Sequence, residues 1–239
     1  MKKLFTFAII LGISFAFLPS CGNWDSKQEF RINIATMKLS EGESFYFVLD
    51  DGRRLFPAQT AVRFTPRDNQ RVILNFTELT GQHGSFSNLI RINDLWSVLT
   101  KQVVDLTDEN AEMIGDDPVI INDMWVGGDF LNVSFRFNWG GVRPHYINLV
   151  RDTTIEEVSD AIELEFRHNA YGSTNEFNRD GLVSFDLRPF RLEEKDEVTF
   201  AIRVNEPTGK RVINVVYQFN PSVTSTTAPT LVNTSSEVY

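Results

Sequence analysis

The 239-residue sequence is poor in several of the residue types on which catalytic and metal sites depend. Cys21 is its single cysteine, so the chain can form no intramolecular disulfide. Its three histidines lie far apart along the chain, and no His-x₃-His spacing pairs two of them. Neither the Gly-x-Ser-x-Gly turn nor the Ser-x-x-Lys pair of serine nucleophiles occurs. The sequence therefore has no local signature of nucleophilic catalysis or of a metal site.

The sequence also lacks an apolar run long enough to cross a membrane. Its N-terminal apolar run, 4–17, has 14 residues, whereas a membrane-spanning helix needs about 20. The basic start Met1-Lys2-Lys3 precedes this run, which is typical of a secretory signal. The segment Leu18-Pro19-Ser20-Cys21 then resembles the lipobox of bacterial lipoproteins, which is cleaved before its cysteine. We predict a lipoprotein signal peptide over 1–20 and lipidation of Cys21; the alternative is an ordinary signal peptide with an unmodified thiol.

A lipidated Cys21 predicts a protein of the cell envelope that is held at the outer membrane. Several acyl chains, each contributing about 0.8 kcal/mol per buried CH₂, anchor a protein more firmly than one chain. Residues 21–29 are short and polar, as expected for a tether between lipid and fold. They lack a dense acidic run of the kind associated with surface export, so the periplasmic and surface orientations both stay open.

Positive charge is scarce. Removal of 1–20 takes away two lysines and leaves 21 basic and 32 acidic residues, a net charge of −11. Nucleic acids are bound by neutralising their phosphates, so we expect no nucleic-acid partner and no docking on anionic lipid. A local excess of arginine occurs only in the N-terminal part, at Arg53, Arg54, Arg63, Arg67 and Arg71.

The clearest pattern that is present is the alternation of apolar and polar residues over 131–139. Leu131, Val133 and Phe135 fall on one parity, whereas Asn132 and Ser134 fall on the other. Successive side chains of a β-strand point to opposite faces, so this run predicts a strand with one buried and one polar side. We expect the polar side to be solvated, with contact to a partner as the alternative. Similar runs recur through the chain, which predicts an all-β protein.

The pattern divides the mature chain into two β domains. Over 30–105 we predict about five strands in a small barrel or meander, with a hairpin at Asp50-Asp51-Gly52. The run 95–104 is predicted to be a closing strand, with a short helix as the alternative. An acidic stretch, 106–117, is predicted to be a linker with one helical turn. Seven short strands over 118–220 predict an antiparallel sandwich. Thr154 and Glu157 match a helix-capping pattern, and 221–239 is predicted to be a disordered tail.

Four segments of the chain resemble the NigD-like lipoproteins of Bacteroides and Prevotella relatives. They are FVLDDGRRLFP at 47–57, WVGGDFLNVSF at 125–135, HYINLV at 145–150 and FRHNAYG at 166–172, in the order of that family. The resemblance covers nearly the whole mature chain and implies an N-terminal OB-like β-barrel followed by a C-terminal β-sandwich. The family takes its name from a bacteriocin operon, where a role in immunity was suggested. It supplies no catalytic residue that could be carried over.

The candidate chemistry in the residues is sparse. His145 and His168 lie on segments that could be neighbouring strands, so a shared metal is one interpretation and two structural histidines the other. The acidic stretch does not have the ligand spacing of a calcium loop. The pairs Glu156/Glu157 and Glu193/Glu194 lie between predicted strands, where carboxylates are usually solvated. We therefore predict no catalytic residue, no metal and no cofactor.

Three functions remain as hypotheses. The first is a non-enzymatic binding or accessory module that is anchored in the envelope and contacts an envelope protein or glycan. The second is self-protection against a bacteriocin. The third is a glycan-active or other envelope hydrolase, which would need two carboxylates across a cleft. The oligomeric state is left open.

Overall fold

The computed structural model describes residues 29–40, 44–81, 83–141, 143–153, 161–174 and 176–218. The predicted signal peptide, Cys21, nearly all of the tether, the Thr154–Glu157 cap and the tail 221–239 lie outside the described residues and stay predictions. Within the described residues, no helix is long and apolar enough to cross a membrane.

The prediction of an all-β protein with a barrel and a sandwich is confirmed. The barrel consists of β1 (Phe30–Leu39), β2 (Phe45–Leu49), β3 (Arg54–Thr60), β4 (Gln70–Leu79) and β5 (Asn88–Ser97). These strands close in the order β1-β2-β3-β5-β4, and only β3 and β5 pair in parallel. Alternate residues point inward, so Phe47, Leu55 and Leu74 are among the fully buried residues of the barrel core.

The predicted hairpin at Asp50-Asp51-Gly52 joins β2 to β3. Gly52 has a φ of +83°, a left-handed conformation that glycine adopts without a steric penalty. The hairpin sets the β2–β3 register, in which Phe47 lies opposite Leu55 and both point into the barrel.

The remaining elements form the sandwich. They are β6 (Leu99–Gln102), β7 (Val104–Leu106), α1 (Ala111–Ile114), β8 (Ile120–Gly127), β9 (Phe130–Trp139), β10 (Tyr146–Asp152), β11 (Ile162–Asn169), β12 (Phe177–Asp186), a 3₁₀ turn (Arg188–Phe190), β13 (Glu197–Glu206) and β14 (Gly209–Gln218). One sheet has the order β14-β13-β11-β10-β7 and the other the order β6-β12-β9-β8. Their inner faces share one apolar core that includes Leu131, Phe166 and Phe200.

The sandwich differs from the predicted purely antiparallel arrangement in three strand pairs. The β11–β13, β10–β7 and β12–β6 pairs are parallel. Between β11 and β13 the chain passes through β12 in the opposite sheet, so it re-enters the first sheet in the same direction. The alternation of residues within a strand carries no information about this crossover.

The prediction of one closing strand at 95–104 is wrong. β5 ends the barrel at Ser97, and the next two strands belong to opposite sheets of the sandwich, β6 beside β12 and β7 beside β10. The change occurs at Val98, which is buried and donates its N–H to the carbonyl oxygen of Arg71 at 2.9 Å. The 106–117 stretch contains the expected helical turn, α1, but it is not an interdomain linker, because two strands of the sandwich, β6 and β7, precede it. The backbone N–H of Asp117 donates to the His168 carbonyl at 2.7 Å.

Candidate functional site

An ion pair between Asp50 and Arg71, both residues of the barrel, lies at the contact between the barrel and the sandwich. Asp50 directly follows β2, and Arg71 on β4 points out of the barrel toward the sandwich. The guanidinium donates to the carboxylate twice, from Nη1 to Oδ1 at 2.7 Å and from Nη2 to Oδ2 at 3.0 Å. The Arg71 side chain is fully buried, and that of Asp50 is 5% exposed. This bidentate geometry is the strongest form of an arginine–carboxylate pair.

Polar groups of the sandwich complete this ion pair. Asn132 on β9 accepts a hydrogen bond from Arg71 Nη2 at 2.8 Å and donates to Asp50 Oδ2 at 3.2 Å. Trp125 Nε1 on β8 donates to the same carboxylate at 3.1 Å. Ser184 Oγ donates to Asn132 Oδ1 at 2.7 Å. The interdomain contact therefore satisfies the Asp50 carboxylate and both terminal nitrogens of Arg71 within the chain, which indicates a structural role; among the described residues, Arg71 Nε has no partner.

Asn132 overturns the expectation of a solvated polar side on β9. Its side chain is completely buried, because the barrel covers this end of the strand. Arg136, four residues further along β9, is exposed, and its Nε lies 2.8 Å from Asp180 Oδ1. The partner of the polar side near Asn132 is thus the barrel of the same chain.

The structure brings the two predicted histidines together at one end of the sandwich. His145 Nδ1 lies 2.8 Å from His168 Nε2, and the rings are 4.9 Å apart between centroids. Phe137 packs against both imidazoles, and Trp139 against His145. Burial, together with the neighbouring imidazole of His145, lowers the pKa of His168 to about 4. Burial also lowers the pKa of His145.

This histidine pair has the geometry of a neutral hydrogen-bonded pair. The two facing nitrogens are at hydrogen-bond distance, so one carries the proton and the other accepts it. A shared metal would instead need a lone pair from each of these nitrogens. Across the described segments, no group of three or more His, Cys, Asp or Glu side chains could hold a metal ion. The third histidine, His83, lies in the barrel, away from this pair.

The outer face of the barrel carries a cluster that we call the aromatic–arginine face: Tyr46, Arg54, Phe56, His83 and Phe86. Tyr46 lies on β2, Arg54 and Phe56 lie on β3, and His83 and Phe86 lie in the loop between β4 and β5. Because Phe47 and Leu55 point into the core, their neighbours on each strand must point outward.

The members of the aromatic–arginine face pack against one another. The guanidinium carbon of Arg54 lies 4.6 Å from the Tyr46 ring centroid and 5.0 Å from that of Phe86. The Phe56 and His83 rings are stacked with centroids 4.0 Å apart. His83 is exposed and the other four side chains are half-buried.

Backbone hydrogen bonds attach the loop to β3 at this face. Ser87 donates its N–H to the carbonyl oxygen of Arg54 at 2.8 Å, and Phe86 donates its N–H to that of His83 at 3.1 Å. No carboxylate in the described part of the chain lies within ion-pair distance of Arg54. The face therefore presents a cation whose charge is not neutralised by any carboxylate of the described residues.

The remaining sequence candidates do not converge. Cys21, Glu156 and Glu157 lie outside the described residues. Glu193 and Glu194 are exposed in a turn between the 3₁₀ element and β13, which agrees with solvated carboxylates. In the run Phe45-Tyr46-Phe47 at least one ring must point outward, because successive side chains of a strand alternate between its faces. The sequence does not connect Tyr46 with His83 and Phe86, because their proximity depends on the closure of the barrel.

Two family models match the chain, one on each domain. The NigD-like N-terminal OB domain matches 34–98, and the NigD-like C-terminal beta sandwich domain matches 102–217. Among curated proteins, no sequence matches this chain.

Solved structures from related bacteria have the same fold. One of them, from Parabacteroides distasonis, is described as a toxin-related protein. It is 32% identical to this chain, the match covers 80% of this chain and 95% of that protein, and the TM-score is 0.71. A protein of unknown function from Bacteroides vulgatus is 28% identical over 81% of this chain and 97% of that protein, with a TM-score of 0.70. A NigD-like immunity protein from Bacteroides caccae is 21% identical over 77% and 90%, with a TM-score of 0.60.

Proposed function

Because this chain belongs to the NigD-like family, we propose that it is a lipid-anchored protein of the cell envelope that binds a partner molecule without converting it chemically. The lipobox-like segment that ends at Cys21 supports the anchor. The anchor would hold the barrel and the sandwich together at the membrane surface, since Asn132 and Trp125 of the sandwich bond the Asp50–Arg71 pair of the barrel.

One observation carries the binding role: Arg54 lies on half-exposed aromatic rings and has no carboxylate neighbour in the described part of the chain. Most arginines of the two domains are already paired; Arg71, Arg188 and Arg203, for example, each bond a carboxylate. Aromatic rings and arginine are the residue types that contribute most to binding interfaces. Arg54 and its rings are therefore available to a partner, as the paired arginines are not.

The ionisable groups inside the sandwich support a binding role over a catalytic one. Tyr217 donates its hydroxyl proton to Asp129 at 2.8 Å and accepts from Arg191 Nε at 2.7 Å. Asp186 accepts three hydrogen bonds from the guanidinium of Arg188. Groups that are saturated by internal partners are poorly placed to act as a general acid or base.

The immunity hypothesis stays a prediction. The Bacteroides caccae protein carries that name, but an identity of 21% extends only the fold to this chain. Deleting the gene and measuring sensitivity to a toxin of the same locus would test this hypothesis, with unchanged sensitivity counting against it.

The anchor and the face can be tested in intact cells. We expect Cys21→Ala to move the protein from the membrane to the soluble fraction, because the acyl chains are then missing. With a photo-crosslinking amino acid at position 46, we expect an adduct with an envelope molecule. The control carries the same amino acid at Val212, which is 55% exposed on the sandwich. Membrane retention of Cys21→Ala, or equal adducts at both positions, would refute the proposal.

A further inference from the structure

Building on the proposed binding role, we infer that the aromatic–arginine face takes a saccharide that carries an acidic group. The inference uses three properties of the face: the free hydrogen-bonding fork of Arg54, the half-exposed rings around it, and its position on the barrel.

Arg54 provides the acidic specificity. Its guanidinium is held against Tyr46 and Phe86, and stacking of this kind immobilises the plane of the group while leaving its N–H edge available. No carboxylate of the described segments comes within 4.0 Å of this guanidinium. A planar guanidinium binds a carboxylate or phosphate through two parallel hydrogen bonds, so charge complementarity calls for an anion here.

The rings provide the saccharide specificity. Tyr46, Phe56 and Phe86 are half-buried, which leaves part of each ring in contact with solvent. Their centroids lie within 5.5 Å of a neighbouring ring of the face, so together they form one continuous apolar surface. The C–H groups of a pyranose can pack on such a surface while its hydroxyl groups bond nearby polar groups. The imidazole of His83, which is exposed, is one such group.

The position of the face agrees with a saccharide ligand. In OB barrels the face of strands 2 and 3, together with the loop between strands 4 and 5, binds oligosaccharides or oligonucleotides. Tyr46, Arg54 and Phe56 lie on β2 and β3, and His83 and Phe86 lie in the β4–β5 loop. The net charge of −11 without 1–20 opposes a nucleic acid, whose every residue carries a phosphate. A short acidic saccharide carries only a few charges and meets less of this repulsion than a nucleic-acid strand.

The test is calorimetric titration of the full lipidated chain in detergent micelles. The saccharide probes are tetragalacturonic acid, which carries carboxylates, and glucosamine 6-phosphate, which carries a phosphate. The fully methyl-esterified tetragalacturonate is the neutral control, and tetraglutamate represents an acidic peptide. We expect at least one acidic saccharide to bind about tenfold tighter than the neutral ester, because a charge-assisted hydrogen bond contributes more than a neutral one.

Two arginine variants give the matched comparison. Arg54→Met removes the donors and keeps the apolar part of the side chain, and we expect it to weaken acidic-saccharide binding about tenfold or more. Arg179 is the control, since its guanidinium also lies on aromatic rings, 4.9 Å from Trp139, but in the sandwich. We expect Arg179→Met to leave the affinity unchanged. If Arg54→Met fails to fold, Arg54→Lys keeps the charge without the fork and should also weaken binding.

Several results would overturn the inference. They are failure of both acidic saccharides to bind, equal affinity for acid and ester, an equal effect of the Arg54 and Arg179 variants, or tighter binding of tetraglutamate. The binding role is judged separately by the adduct at position 46 in intact cells. An adduct without acidic-saccharide binding refutes the ligand class alone, and the absence of both refutes the binding role as well.

Discussion

Breaking the Asp50–Arg71 pair should destabilise the protein more than any surface ion pair does. In Asp50→Asn the guanidinium of Arg71 keeps its hydrogen bonds to Thr36 and Asn132 but loses its counter-charge in a fully buried position. Removing one partner of a buried pair costs about 3–5 kcal/mol, because the other charge stays desolvated. Arg71→Met should have a similar cost, since it leaves the Asp50 carboxylate without its cation.

The double variant Asp50→Asn with Arg71→Met should cost less than the sum of the two single variants. Neither charge is then left uncompensated, and groups in direct contact typically couple by about 0.5–3 kcal/mol. The matched control is Arg136→Met, because Arg136 pairs with Asp180 at 2.8 Å while the two side chains are 46% and 39% exposed. An exposed pair of this kind contributes about 0–1 kcal/mol.

Urea unfolding measured by tryptophan fluorescence and by far-ultraviolet circular dichroism gives these free energies. Both probes are needed because a two-domain chain can unfold in more than one step. Trp125 reports on the interdomain contact directly, since its Nε1 donates to Asp50. If Asp50→Asn costs no more than Arg136→Met, or if the two single variants are additive, then the two buried charges at the interdomain contact are not coupled as the structure implies.

Two further predictions concern the same domains. Gly127→Ala should destabilise by about 1–3 kcal/mol in urea unfolding, because a Cβ there would lie 2.1 Å from Cγ of Asp50 and displace the carboxylate; a stability equal to that of the parent chain would contradict this packing. For His168 the folded pKa of about 4 lies below the ordinary 6.5, so the unfolded chain binds the proton first and stability falls as the pH drops from 6.5 to 4. The loss of folding free energy is about 3 kcal/mol at most. His168→Phe should remove this part of the pH dependence of the urea midpoint. If the midpoint of His168→Phe varies with pH as that of the parent chain does, His168 is not the group responsible.

The elements of this fold could be predicted from the sequence to a large extent. Alternating residues locate the strands, since burial of one face of a strand demands a period of two. The Asp50-Asp51-Gly52 hairpin follows from the conformation that Gly52 adopts. Within 118–220 the described residues form the seven strands that the alternation predicts, β8 to β14.

The assignment of strands to sheets could not be predicted in the same way. The pairing of β6 with β12 joins residues about 80 positions apart, such as Leu99 and Val183. An apolar run such as 95–104 indicates that its residues are partly buried, but it does not indicate which sheet they belong to. The break at Val98 depends on the position of Arg71 in the folded barrel.

The candidate sites depend on the register of paired strands and on the contact between the two domains. The sequence pattern does not reveal either of these. His145 reaches His168 because the β10–β11 register sets Ile147 opposite His168, and a shift of one residue would turn His168 to the other face. Asn132 belongs to a polar parity that looks solvated in the sequence. It is buried only because a second domain covers it.

Arg54 and Arg71 show how position within one barrel can leave one arginine bonded inside the protein and another half-exposed. Both lie on strands of the barrel and both point outward, and each lies near an aromatic ring, Arg71 at 5.0 Å from Phe130. Asp50 of the barrel neutralises Arg71, and Asn132 of the sandwich covers the pair. The charge of Arg71 is therefore not available to an external partner. Arg54 has no carboxylate neighbour among the described residues, and its rings are only half-buried. Since an uncompensated guanidinium on an apolar surface gains most from an external anion, Arg54 is the arginine at which we expect a partner to bind.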